Sequence, residues 1–397
     1  MKPYRPPRKL YRHRKYLFTA ESLLPPLSGV RGPRAFLPAD ELAARHPEFV
    51  TRHEVGTPET LPRYDYHYQG GDAFYTGHLD ETPVAADHYF AIREGRVYGR
   101  HGTVIGPDDL ALQEFDYGAR KLAELEDVLT GYRWRPRYWK HRLRRAAFQL
   151  RMPAPQRLSG RLFVINGGAS HNYYHWTIET LPKLHTLQAS GLEADWYLAD
   201  TLMSFQRQTL EAFGVPLDRV IQPYSSLHLQ ADELLAAPRL LAESCRAMGR
   251  KILAHAGDQA TPPSPRVYVS RRGTRRVRNE AQLAALLKRF EFDEHFLEDY
   301  TVAQQAQLFH QAEVIVAPHG AGLANLVFAR PGAQVVELMT EGRRALYFPE
   351  LSRLMGLEHW LLESSRIGLR QDMVAPVDQL ERVLEELCRK PRRGAAA

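Results

Sequence analysis

The sequence predicts an α/β protein of two doubly wound, Rossmann-like domains facing a cleft, with an N-terminal extension carrying a β-hairpin. Three observations carry this. Strand-like and helix-like segments alternate from Arg161 to about His255, and again from Val267 to Cys388. Between the two series lies Gly257-Asp258-Gln259-Ala260-Thr261-Pro262-Pro263-Ser264-Pro265, which has the composition of a linker. Val314 to Leu338 then holds a β-branched strand, a glycine turn, a short apolar helix and a second strand, the unit from which parallel sheets are assembled. A chain of 397 residues is long enough to bury two cores.

Met1 to about Pro62 is rich in Pro, Arg and Tyr, has weak periodicity, and reads as a basic arm with little regular structure. Residues 63–256 form the expected first domain, 257–265 the linker and 266–397 the second domain. In the first, His88 to Ile92 and Arg96 to Gly99 around Glu94-Gly95 read as a hairpin, with Thr103 to Ile105 as a third strand. Ala119 to Leu129 and Lys140 to Leu150 have helical patterns. A strand at Arg161 to Ile165, a Gly167-Gly168 turn and a helix from about Asn172 open the alternating series. Trp196 to Ala199 and Arg219 to Ile221 read as strands, with helices at Ser204 to Phe213 and Leu240 to His255.

The second series begins with strand Val267 to Ser270 and helix Glu280 to Phe290. Strand Glu291 to Leu297 and a helix capped by Thr301 follow. After strand Val314 to Ala317, Leu323 to Phe328 has the apolar density of a short helix packed on a sheet, and Pro331-Gly332 turns the chain into strand Gln334 to Leu338. Helix Tyr347 to Met355, strand Glu358 to Leu362 and helix Val377 to Cys388 complete it.

Composition narrows the function classes. Apolar residues make up 44% and charged residues 25%, an ordinary globular balance, and no apolar run approaches the roughly 18–20 residues of a membrane span. The N-terminus lacks an apolar signal region, which places the chain in the cytoplasm on this reading. Two cysteines, Cys245 and Cys388, are too few for a disulfide framework or a metal cluster. The net charge of +7 is unevenly distributed: residues 1–15 hold seven Lys/Arg and no acid. Tyr132 to Arg151 holds eight more, interleaved with Trp134, Tyr138, Trp139 and Phe148. Anionic lipid, nucleic acid and a phosphorylated substrate all suit such stretches, as does a merely solvated face. No nucleic-acid recognition motif accompanies them, so the expected partner is an anionic membrane surface, met peripherally through 132–151.

Three constellations have the residue types for chemistry. In Asn166-Gly167-Gly168-Ala169-Ser170-His171-Asn172-Tyr173-Tyr174-His175-Trp176-Thr177-Ile178-Glu179, a helix would put His175 and Glu179 on one face. A carboxylate beside an imidazole orients it and raises its basicity, as a general base requires; a surface pair or a core histidine gives the same pattern. His171 and His175 lack metalloprotease spacing, and no metal is expected.

The second constellation is Ser270 to Glu280, where five arginines follow a buried strand and precede a helix. Arginines at a strand's carboxyl end can fork onto phosphate, although a solvated charge run also fits. The third is Pro318-His319-Gly320-Ala321-Gly322 with Glu337. The glycine turn brings backbone amides of a helix start to one point, and Glu337 ends the next strand, where a carboxylate can accept from ribose hydroxyls. Its spacing matches neither G-x-G-x-x-G nor the P-loop, and a tight turn in any α/β domain would look similar.

Together His-Asn-Tyr-Tyr-His-Trp-x-x-Glu-x-Leu-Pro at 171–182, Ser-Arg…Arg-x-x-x-Asn-Glu at 270–280 and Pro-His-Gly-Ala-Gly-Leu-x-Asn…Val-Val-Glu-Leu at 318–338 resemble family 61 glycosyltransferases, in that family's order. The resemblance implies a GT-B fold, an inverting mechanism, a nucleotide-sugar donor held by the C-terminal domain and no metal or other cofactor. Carried over, Arg271, Arg275, His319, Gly320, Ala321, Gly322, Asn325 and Glu337 fall on donor-binding positions. His175 and Glu179 fall on the catalytic side, with His171, Asn172 and Tyr174 beside the acceptor. The chain looks like a bacterial member acting in surface or capsular polysaccharide biosynthesis on a glycan or lipid-linked acceptor. The alternative is a non-catalytic glycan- or nucleotide-binding member of such a complex.

Overall fold

The structure, a computed structural model, describes residues 29–115, 152–239, 242–257, 264–341, 345–368 and 372–389. The first 28 residues, residues 116–151 with the basic stretch and both helices expected there, and most of the linker lie outside the described residues. The rest is mixed α/β, with two large sheets.

The first sheet is parallel at one end and antiparallel at the other. Strands Val220–Ile221, Trp196–Leu198, Gln156–Val164 and His228–Ala236 lie side by side in parallel. His228–Ala236, a central strand, has no counterpart in the sequence reading. Its interior Asp232-Glu233 breaks the apolar run by which a buried strand is recognised. Asp87–Arg93 and Arg96–Tyr98 both run antiparallel to it, one after the other along its length. They are therefore one strand interrupted at Glu94-Gly95 and not the expected hairpin. Glu94 adopts a positive φ of 52°, and a Cβ on Gly95 would sit 2.7 Å from the Leu234 Cβ, so the interruption is a tight local kink. The hairpin instead joins Arg96–Tyr98 to Thr103–Ile105.

Residues 29–62 are not an arm. Ala35–Leu37 and Val50–Val55 are strands of this sheet, the latter paired with Asp87–Arg93, and helix Ala39–Arg45 between them buries Leu42 fully.

The second sheet is parallel over Asp293–His295, Arg266–Val269, Val314–Pro318, Gln334–Thr340 and Glu358–Ile367. A hairpin from earlier in the chain, Tyr64–Gly70 and Ala73–Leu79, extends it, with Trp360 in register with His67. The hairpin thus sits with the second sheet although it precedes most of the first sheet in sequence and falls within the expected first domain, 63–256. Helix Val302–Gln311 begins as expected, Thr301 Oγ1 accepting from Gln304 N at 3.2 Å.

One apolar cluster runs through both halves, from Phe163, Trp176 and Leu235 to Val267, Phe309 and Phe328. Helix Glu243–Ala256 supplies the tightest junction, for a Cβ at Gly249 would lie 2.6 Å from the Val327 carbonyl oxygen. Only a residue without a side chain lets that helix approach the 3₁₀ helix Ala321–Phe328 so closely. Among the described residues no helix is long and apolar enough to cross a membrane.

Candidate active site

The site lies where the strands of both sheets end. Beyond Gln156–Val164, the Gly167 amide donates to Ser170 Oγ at 2.9 Å, and Gln206 Nε2 donates to the Ser170 carbonyl at 2.9 Å. This braced turn leads into a π-helix, His175–Thr180, in place of an α-helical turn. Pro182 has no N–H to return to the Ile178 carbonyl, and the Leu181 amide reaches back five residues to Trp176, 2.8 Å. The Cys245 thiol meets the Ile178 carbonyl at 3.6 Å, which gives this buried cysteine a structural task. Burial pushes its thiol up to about 12, away from thiolate chemistry. Trp176, fully buried, donates from Nε1 to Thr209 at 2.9 Å and fixes the rotation of the turn.

That rotation places His175 Nδ1 3.0 Å from Glu179 Oε1, with the imidazole about two-fifths exposed and the carboxylate nearly covered. The two groups are close but off hydrogen-bond alignment, since Nδ1 makes no hydrogen bond. Arg239, not anticipated from the sequence, brings Nη1 to 3.0 Å from the same oxygen. Its only sequence signal is its place two residues beyond Ala237, just past a strand's carboxyl end. His171 and Asn172 are exposed at the start of the turn, and Asn172 Oδ1 accepts from the Tyr174 amide at 2.9 Å.

The second sheet contributes the cationic half. Of the five arginines, Arg272 is turned outward in a two-pronged pair with Asp299, 2.6 Å, and Arg278 pairs with Asp372 at 2.7 Å. Arg271 and Arg275 turn inward, each donating from Nη1 to the His319 carbonyl, at 3.1 and 3.2 Å. Arg275 holds a left-handed φ of 61° to do so. Burial depresses the Arg271 guanidinium, against the opposing pull of Glu298. A Cβ on Gly320 would fall 1.7 Å from Arg271 Nη1, so the glycine is what admits the guanidinium. The 3₁₀ helix that starts at Ala321 directs its first amides to the same corner.

Glu337 lies beneath this corner, fully buried, and does not face the site as the ribose-binding expectation requires. One carboxylate oxygen pairs with His319 Nδ1; the other pairs with His359 Nε2 at 3.1 Å. Burial pushes its carboxyl up, but the two imidazoles outweigh it and hold it below its usual range. With Glu337 ionised, both histidines donate to it. His359 Nδ1 then accepts from Ser352 Oγ at 2.8 Å, and His319 keeps Nε2 as its acceptor nitrogen. His359 was not anticipated, although a histidine inside the apolar run at Trp360-Leu361-Leu362 is a signal of an internal partner.

Asn325 is also fully buried and engaged inside the protein. It accepts from the Tyr173 hydroxyl at 2.6 Å and donates to Gln305 Oε1 at 2.9 Å and the Gly322 carbonyl at 3.0 Å. Aromatic contacts join the halves: Tyr174 stands edge-on to Phe348 at 5.6 Å, and His319 to the same ring at 5.2 Å. The structure thus brings Tyr174 and His319 to one ring, Phe348, with His175 and Glu179 on the Tyr174 side and Arg271, Arg275 and Gly320 on the His319 side. It sets Asn325 and Glu337 behind them as supports. Among the described residues no group of three or more His, Cys, Asp and Glu is disposed to hold a metal ion.

Comparison with known proteins points the same way. Residues 173–336 match the glycosyltransferase 61 family model, a span containing His175, Glu179, Arg271, Arg275, His319 to Gly322 and Asn325 and stopping one residue before Glu337. A xylan glycosyltransferase of Arabidopsis thaliana is 27% identical over 96 residues, an alignment covering 23% of this chain and 19% of that protein. Both similarities are to glycosyltransferases, and the family that the chain resembles is glycosyltransferase 61.

Proposed function

We propose that this chain is a glycosyltransferase that moves a sugar from a nucleotide-sugar donor to a hydroxyl of a glycan or lipid-linked acceptor in polysaccharide biosynthesis. The observation that carries the reading is the convergence of Arg271 and Arg275 on the His319 carbonyl, beside the glycine turn and the helix start. Two cations and a set of backbone amides at one point suit a leaving diphosphate. We assign the second sheet to the donor and the π-helix to the acceptor, in a GT-B arrangement.

In the proposed reaction the acceptor hydroxyl attacks the anomeric carbon, and its proton passes to His175, oriented by Glu179. The bond from the anomeric carbon to the diphosphate oxygen breaks, its electron pair leaving with the diphosphate, where Arg271 and Arg275 compensate the charge. A single displacement of this kind inverts the anomeric centre. Arginines in this role stand where other transferases use a divalent cation, so the proposed mechanism is metal-independent. Donor hydrolysis and transfer across a panel of UDP, GDP and CMP sugars in EDTA test it. Activity should persist in EDTA; abolition by EDTA and restoration by manganese would refute the metal-free account.

A further inference from the structure

Strand Glu358–Ile367 presents different chemistry to its two sides. His359 points to the Glu337 network, whereas Trp360, its neighbour, belongs to the cluster on the other face with Val336, Leu380 and Val383. On that far face, between the early hairpin and helix Val377–Arg389, lies a cavity of about 350 Å³. Its walls are His67, Phe74, Tyr75, Trp360, Arg382 and Glu386. His67 stacks on Trp360 at 4.1 Å and Phe74 stands edge-on to it at 6.1 Å, while Phe74 and Tyr75 remain 37% and 49% exposed.

Trp360 is only 7% exposed, and its indole Nε1 has no hydrogen-bond partner in the protein. The indole N–H is itself sealed from solvent, so the rings that face the opening are those of Phe74 and Tyr75. We propose that this cavity is a second carbohydrate site, taking a stretch of neutral glycan chain on the sheet face opposite the transfer site; it rests on the reading of a glycan acceptor.

Three features select that ligand. Aromatic walls suit the apolar C–H faces of a sugar ring while the rim stays wet. Arg382 and Glu386, four residues apart on one exposed helix face, offer donors and acceptors of opposite charge to hydroxyls. A nucleotide or other anion would meet the Glu386 carboxylate, and a purely apolar ligand would make no use of Arg382 and Glu386. A volume near the lower end for ligand sites fits part of a chain.

Native affinity electrophoresis of the full chain, in gels containing xylan, β-glucan, galactomannan or dextran, tests this. At least one polysaccharide should retard the protein, and Tyr75→Ala, Phe74→Ala and Arg382→Ala should each weaken the interaction roughly three- to tenfold. All three side chains are exposed or at the rim, so the variants keep the fold; thermal melting confirms it. The assay needs neither donor nor turnover. Retardation without transferase activity would leave this site standing and remove the proposed function; activity without retardation would do the reverse. Equal retardation of the variants would overturn the site. So would a variant-sensitive self-association with no response to glycan, which would make the hairpin edge a contact between copies.

Discussion

The hydroxyl of Tyr173 donates to Oδ1 of Asn325 over 2.6 Å, tying the turn before the π-helix to the 3₁₀ helix of the second sheet. Burial pushes this phenol above its ordinary range, so it stays a neutral donor at any working pH. Asn325 is fully buried, and its other polar atom is already shared between Gln305 and Gly322. Tyr173→Phe would leave a buried carbonyl oxygen without its donor. Chemical denaturation should show a loss of about 1–3 kcal/mol. An unchanged midpoint would mean that the two halves do not depend on this bond.

Gly320 and Arg271 compete for the same space. An alanine methyl at 320 would lie 1.7 Å from Arg271 Nη1, and the guanidinium, being the end of a flexible side chain, would give way. Gly320→Ala should therefore reproduce much of the effect of Arg271→Ala. For the latter, calorimetry with UDP, GDP or CMP should register a loss of about 1.5–3 kcal/mol on whichever nucleotide binds. Arg271→Lys should recover only part, because an ammonium cannot replace the fork. Full affinity in Gly320→Ala would separate the glycine from the arginine.

Much of the second sheet is legible in the sequence because its strands are buried on both faces and read as unbroken β-branched runs, as at Val314 to Ala317. Helix Tyr347–Met355 has the expected limits, and Thr301 caps its helix. What stays hidden is long-range. Nothing local tells Tyr64–Gly70 that its partner strand lies nearly 300 residues away, and an alternating, half-exposed strand of tyrosines looks like a loop. The site divides in the same way. Motif residues reveal which side chains gather, but not that Glu337 and Asn325 face inward. That depends on His359 and Gln305, which lie outside the motifs, and on the inward direction of Tyr173, which its motif does not reveal.

Glu337 makes stability depend on pH. Its folded-state value lies below its ordinary value of 4.5, so it stabilises the native state above the unfolded value. As pH falls from about 4.5 through the lower folded value, the carboxylate is protonated and that contribution is lost. Glu337→Gln has no such proton to bind. In urea titrations from pH 7 to 3, wild type should lose more stability than Glu337→Gln, with the difference confined to the acid limb. Parallel pH profiles would show that the two imidazoles do not hold the carboxylate as the geometry indicates.

His175 and Glu179 carry the last prediction. Glu179 Oε1 is shared by His175 and Arg239, each 3.0 Å away, so the carboxylate is compensated even when the imidazole is neutral. A carboxylate already paired with a guanidinium is a poor proton acceptor, which favours the imidazole as the base. His175→Ala should lower kcat by roughly 10²–10⁴-fold with nucleotide affinity nearly intact, the usual size of a lost general base. Glu179→Gln should cost less, since it removes orientation alone. Arg239→Ala leaves Glu179 to His175 alone and should lower kcat less than His175→Ala does. If Glu179→Gln proves more damaging than His175→Ala, the carboxylate is the base and the histidine serves it.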